Sequence, residues 1–173
     1  MSINKEIGMS ATNSIEKRLD EIFVKNAPAL PAGGKKFLVE YLPWISLVVG
    51  AVTLLMVINL WHWAHVANGL INYANQISAA YGGTKVGDRL TVTIWLSMAV
   101  LVIEAVLYLA AFSGLKNKKK AGWNLLFYAL LVNVVYGIIA LFNNYGGIGD
   151  LLGSVIGFAI GAYFLFQIRS SYK

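Results

Sequence analysis

The chain has 173 residues, of which 58% are hydrophobic and only 13% charged, with no cysteine and a formal net charge of +6; its mean hydropathy is +0.65. Soluble globular chains carry about 25% charged residues, so the composition excludes that class and points to an integral membrane protein. Without thiols, disulfide exchange, thiolate zinc sites and cysteine nucleophiles are excluded as well.

In chain order, the first legible element is NSIEKRLDEIFVK at 13–25. Asn13 is a helix cap with Glu16 three residues on, and Ile15, Leu19, Ile22 and Phe23 share one face. The pattern predicts a short amphipathic helix over 14–25, resting on the inner leaflet, on a partner or on the chain's own loops. NAPALPAGGKK follows, and its prolines and glycines predict a linker over 26–34. Residues 1–43 thus read as an N-terminal cytoplasmic segment, and 44–173 as a four-span membrane domain.

Four apolar runs define the spans, at 44–66, 90–112, 123–142 and 151–168. Each reaches or approaches the roughly 20 residues needed to cross about 30 Å of hydrocarbon. Barrel strands are excluded, because those alternate polar and apolar residues over about ten positions. Pro43 starts or kinks the first span. Beyond that span, ANGLINYANQISAAYGG predicts a separate surface-lying helix ended by Gly82 and Gly83, and NNYGGIGD a tight turn. Little of the chain is expected to protrude from either face. No internal repeat is visible.

Assigning the loops alternately to the two sides segregates the charge. Of fourteen basic residues, twelve fall on one side: Lys5, Lys17, Arg18, Lys25, Lys35, Lys36, Lys116, Lys118, Lys119, Lys120, Arg169 and Lys173. Only Lys85 and Arg89 lie opposite. The positive-inside rule then places both termini in the cytoplasm, in an inner membrane. The expected fold is all-α: an antiparallel four-helix membrane bundle with the amphipathic helix and the outer-surface helix as appendages.

Within the spans, small and polar residues form stripes. Gly149, Gly153, Gly157 and Gly161 recur every fourth residue and predict close helix packing, with a partner inside the bundle favoured over a second copy. Ser46, Gly50 and Thr53, then Ser97, Glu104 and Ala111, then Ala129, Asn133 and Gly137, mark one side of each other span. At about 1.5 Å per residue, Glu104, Thr53 and Asn133 lie about 12, 14 and 15 Å from the cytoplasmic ends of their helices, with Tyr136 one turn beyond. An ionised carboxylate at that depth costs on the order of 3 kcal/mol. The expected state is a neutral acid donating to Asn133 or Thr53. It serves as a polar clamp on helix register or, alternatively, as a protonatable transport site.

His62 and His65 in WHWAH share a face, but a metal site there would need Asp88 or Asp150. Trp61 and Trp63 instead mark an aromatic belt, so no metal is expected. Lys116, Lys118, Lys119 and Lys120 are candidates for lipid headgroups as well as a topology signal. No nucleotide loop, catalytic carboxylate pair or serine with a histidine partner stands out, so neither a cofactor nor enzymatic activity is expected.

APALPAGGKKFLVEYLPW, KKKAGWNLLFYALLVN and FQIRSSYK together resemble uncharacterised small four-span membrane proteins of bacteria with reduced genomes. That resemblance implies no activity and no catalytic residues. The expected role is structural or accessory, with the lipid bilayer, other membrane proteins or a second copy as partners and no nucleic acid. The alternative is a small oligomeric transporter or channel using Glu104.

Overall fold

The computed structural model describes residues 14–87, 92–141 and 147–173, apart from the side chains of 92, 93 and 150. Most of those residues are helical, with no strand among them. Helix α1 covers 14–20 and tightens into a π turn over Glu21–Lys25. It is followed by α2 (Ala32–Ala80), α3 (Val92–Lys116), α4 (Lys120–Ala140) and α5 (Ile148–Gln167), with a closing 3₁₀ turn at Arg169–Ser171. Helices α2, α3 and α4 are each long and apolar enough to cross a membrane, and α5 is a shorter apolar helix. The predicted Asn13 cap and the first half of the NNYGGIGD turn, 143–146, lie outside the described residues, and its last three residues already belong to α5.

The largest departure from expectation is α2, whose 49 residues form one helix. At about 1.5 Å per residue it is about 74 Å long. The linker stops at Pro31, because Gly33 and Gly34 fall in the first helical turn, where backbone N–H groups have no intrahelical partner to lose. Pro43 neither starts nor ends a helix but sits inside one, at the loss of a single hydrogen bond to the carbonyl four residues back. The predicted separate helix over 67–83 is the continuation of the same rod. Its periodicity was helical, and nothing between Val66 and Ala67 breaks the chain.

The end of α2 is set by Gly82, at φ 71°. Gly83 N–H returns to Ser78 O at 2.8 Å and Gly82 N–H to Ala79 O at 3.1 Å, which closes the last turn with the left-handed residue that glycine supplies without steric cost. Asn75 then pins the departing chain: its Oδ1 accepts from Val86 N–H at 2.8 Å, and its Nδ2 donates to Gly87 O at 2.8 Å.

Consecutive helices pack side by side in chain order, and α5 also packs on α1. Cross-helix pairs make each neighbour antiparallel. Trp44 meets Phe112 while Trp61 meets Trp95; Ser97 meets Tyr136 while Glu104 meets Asn133; Trp123 meets Leu165 while Gly161 faces Leu130. On α2, the buried positions are Pro43, Ser46, Gly50, Thr53 and Ala64. Small residues on that face let α3 approach until Leu109 lies where a Cβ on Gly50 would stand.

A buried hydrophobic core lies at the end of the molecule that carries most of the lysines, called here the basic end. Leu115, Trp123, Phe127, Phe166 and Ile168 are fully buried there, with Leu19 and Phe23 of α1 and Leu38 and Leu42 of α2 against them. Between α3 and α4 the chain turns in three residues, 117–119, with Lys118 at φ 53°, a conformation costing a non-glycine residue about 1–2 kcal/mol. The turn is so short because Gly114 and Gly122 touch. A Cβ on Gly114 would stand 2.6 Å from Gly122 N.

Candidate functional site

Two regions bring polar side chains together. The first is the predicted intramembrane layer. Glu104 is 7% exposed on α3, and Asn133 of α4 donates from Nδ2 to its Oε1 at 3.3 Å. Asn133 itself is exposed, so the pair sits at the rim of the α3–α4 seam. The donor is the amide, not the acid as the sequence suggested. Thr53 gives its hydroxyl proton to Val49 O of its own helix at 2.8 Å, the usual retreat of a threonine inside a helix. Tyr136 bonds Ser97 at 2.6 Å, between α4 and α3. Of the four residues, Glu104 pairs with Asn133, Tyr136 pairs instead with Ser97, and Thr53 stands apart, rather than forming one connected layer.

The second region is the basic end, and sequence reading missed most of it. Gln167, 3% exposed, is the hub. Its Nε2 donates to Phe23 O at 2.7 Å and its Oε1 accepts from Leu30 N–H at 3.2 Å, tying α1 and the linker to the end of α5. Tyr163 adds a bond from its hydroxyl to Pro28 O at 2.8 Å. Arg169 forks onto two carboxylates, with Nη2 on Glu16 Oε2 and Nη1 on Asp20 Oδ1 at 3.2 Å. Lys120 Nζ is 3.9 Å from the same Glu16 oxygen. Of the three placements open to α1, it takes the one on its own chain. The signal was available: Glu16 and Asp20 share a face one turn apart, and Arg169 and Lys120 flank the helices they reach.

The indole of Trp123, 0% exposed, anchors this end. Its Nε1 donates to Leu165 O at 2.8 Å, its ring stacks on Phe127 at 5.5 Å, and the Arg169 guanidinium lies over it at 5.4 Å. Tyr172 is buried beside this core with no partner for its oxygen among the described residues, and burial pushes its hydroxyl up to about 12.

The four lysines of the α3–α4 turn do not form one patch. Lys116 lies over the rings of Trp44 and Phe112 at 5.7 and 5.8 Å, and Lys120 over Trp123 at 5.8 Å. Lys119 is exposed. Lys118 turns to a cleft of about 550 Å³ that it shares with Lys35, Lys36, Glu40 and Ser171. A neighbouring cavity of about 420 Å³ is bordered by Asp20, Lys35, Lys120 and Arg169.

Within this chain most of the glycine stripe is unpacked, against the favoured partner inside the bundle. Nothing lies within 4 Å of a Cβ built on Gly149, Gly153 or Gly157, and only Gly161 meets a neighbour, Leu130. Spacing showed a flat face but not the side on which α4 packs. The other close glycine contacts between helices are at Gly50, Gly114 and Gly122.

At the opposite end, His65 Nδ1 is 3.0 Å from Trp61 O and its ring lies 4.4 Å from the Trp61 ring. No cluster of three or more metal-ligating side chains occurs among the described residues, and the Asp88 and Asp150 side chains lie outside them. Comparison with protein-family models, curated proteins and solved structures finds no match to this chain.

Proposed function

We propose that this chain is a multi-pass protein of the cytoplasmic membrane, with α2 to α5 crossing as four antiparallel spans and the basic end in the cytoplasm. Its role is structural or accessory: it binds lipid and other membrane proteins through its helix faces and its cytoplasmic end. The observation that carries this reading is the asymmetry of the molecule. The ion pairs and basic clefts described above gather at one end, while the helices beyond expose Leu55, Met56, Ile58, Ile156 and Ile160. Such a surface is stable only against hydrocarbon or another apolar face.

Single cysteines in this cysteine-free chain test the placement. Lys118→Cys is expected to react with an impermeant maleimide only after the cells are opened, and Thr84→Cys in intact cells. Labelling of Lys118→Cys from outside would reverse or abolish the four-span arrangement. Purification in mild detergent is expected to bring down a larger membrane partner, and recovery of the chain alone would count against an accessory role.

A transporter or channel is the second reading, favoured by Glu104 alone. Two substitutions separate the roles. As a register clamp, Glu104→Gln keeps the bond to Asn133 and leaves the detergent melting temperature unchanged, whereas Glu104→Leu strands the amide and costs about 0.6–2 kcal/mol. As a proton site, Glu104→Gln abolishes proton-dependent flux in liposomes without unfolding the protein. The clamp is the expected result, because Glu104 lines neither the basic clefts nor the apolar groove between α2 and α5.

A further inference from the structure

We propose that the basic end holds one anionic phospholipid, with its phosphate in the cleft between the start of α2 and the α3–α4 turn and an acyl chain in the groove between α2 and α5. This deepens the membrane placement above and rests on it.

The cleft is basic and its charge is unspent. Lys120 and Arg169 are occupied by Glu16 and Asp20, so two of the three cations bordering the neighbouring cavity are already paired. Lys35, Lys36 and Lys118 form no ion pair among the described residues, although Glu40 shares their cleft. A volume of about 550 Å³ falls within the roughly 300–1,000 Å³ of small-molecule sites. Three cations around one such space are matched by a phosphodiester, which offers anionic oxygens to several donors at once.

Lys118 carries a second sign of a built site. Its backbone is left-handed, at φ 53°, where glycine or asparagine would stand at lower cost. The turn is nevertheless held firmly: Lys118 N–H bonds Leu115 O at 3.0 Å, Lys173 N–H bonds Lys118 O at 3.0 Å, and Lys120 N–H bonds Lys173 O at 2.8 Å. A cation is thus kept, on a stitched backbone, at a position whose conformation disfavours it. Strain of this kind gathers at binding sites.

The same stretch of α2 also borders a separate apolar groove that shares no wall residue with the cleft. Leu38, one turn beyond Lys35, together with Leu42 and Ile45, faces Gly161 and Phe164 of α5 and Tyr108 of α3 around about 250 Å³. α5 packs on α4 rather than closing on α2, which leaves this space open. From Leu38 to Ile45 the groove runs about 10 Å along the helix. A soluble phosphate would fill the cleft and leave the groove empty. A phospholipid matches both the charge above and the apolar wall below, so the lipid is the occupant.

The full chain, purified in a neutral detergent, provides the test. Melting temperature and native mass spectra are recorded with phosphatidylglycerol, with phosphatidylcholine and with inorganic phosphate alone, each at low and high salt. One phosphatidylglycerol retained per chain, raising the melting temperature where the other two do not, is expected. Lys35→Gln with Lys36→Gln is expected to weaken retention at least tenfold, while Lys17→Gln with Lys25→Gln, which removes equal charge elsewhere, leaves it intact. Leu42→Trp, which fills the groove and keeps every charge, is expected to weaken it similarly. Equal retention of the two lipids, equal losses from the two double variants, or full protection by inorganic phosphate would each overturn the proposal. Such a failure with Lys118→Cys still shielded in intact cells leaves the membrane placement standing; labelling of Lys118→Cys from outside removes that placement whatever the lipids do.

Discussion

Gly122→Leu is expected to unfold the protein or sharply lower its detergent melting temperature. A Cβ at this position would stand 2.5 Å from the Gly114 carbonyl carbon and 2.9 Å from its Cα. The obstacle is backbone, which cannot rotate away as a side chain can. Overpacking normally costs about 1–3 kcal/mol, and here the upper end or beyond applies because α3 and α4 must separate. Gly122→Ala already introduces the clash and is expected to show most of the effect. Gly157→Leu supplies the contrast, since that position has nothing within 4 Å and its change is expected within about 0.5 kcal/mol. Equal losses at 122 and 157 would mean that a second chain covers the α5 stripe.

Trp123→Ala is the second large effect. The indole is fully buried between Phe127 and Phe166 and donates to Leu165 O, so truncation opens a cavity and strands a carbonyl on α5. Burial of this kind is worth about 3–5 kcal/mol. Trp123→Phe keeps a ring but loses the N–H donor, with an expected loss nearer 1 kcal/mol. A chemical-denaturation midpoint that Trp123→Ala leaves unmoved would show that the basic end is not the stabilising core.

What could be read in the sequence divides by range. Helix ends governed by a few adjacent residues were legible, as at Gly82, because a left-handed cap has a local chemical signature. The pairing of Glu104 with Asn133 was also within reach, because antiparallel neighbours joined by a short turn bring equal depths together. Thr53 was misjudged for a local reason: a threonine hydroxyl on a helix always has its own carbonyl four residues back as a competitor. The packing side of α5 was beyond local reading. Four evenly spaced glycines are the same signal whether α4 or empty space faces them, and only Gly161 meets a neighbour. The unbroken course of α2 was hidden by two glycines that usually mark a linker but here open a helix.

That unbroken course makes α2 a lever. Its tightest crossing is at Gly50, pressed against Leu109, and its end at Ala80 lies thirty residues further on, about 45 Å at about 1.5 Å per residue. Pro43 falls on the shorter arm, leaving the long arm without a proline. A rocking of roughly 10° about that fulcrum swings the far tip by roughly 8 Å and the Ala32 end by roughly 5 Å the other way, given that rise per residue. Lys35 and Lys36 ride on the short arm and the Asn75-pinned loop on the long one.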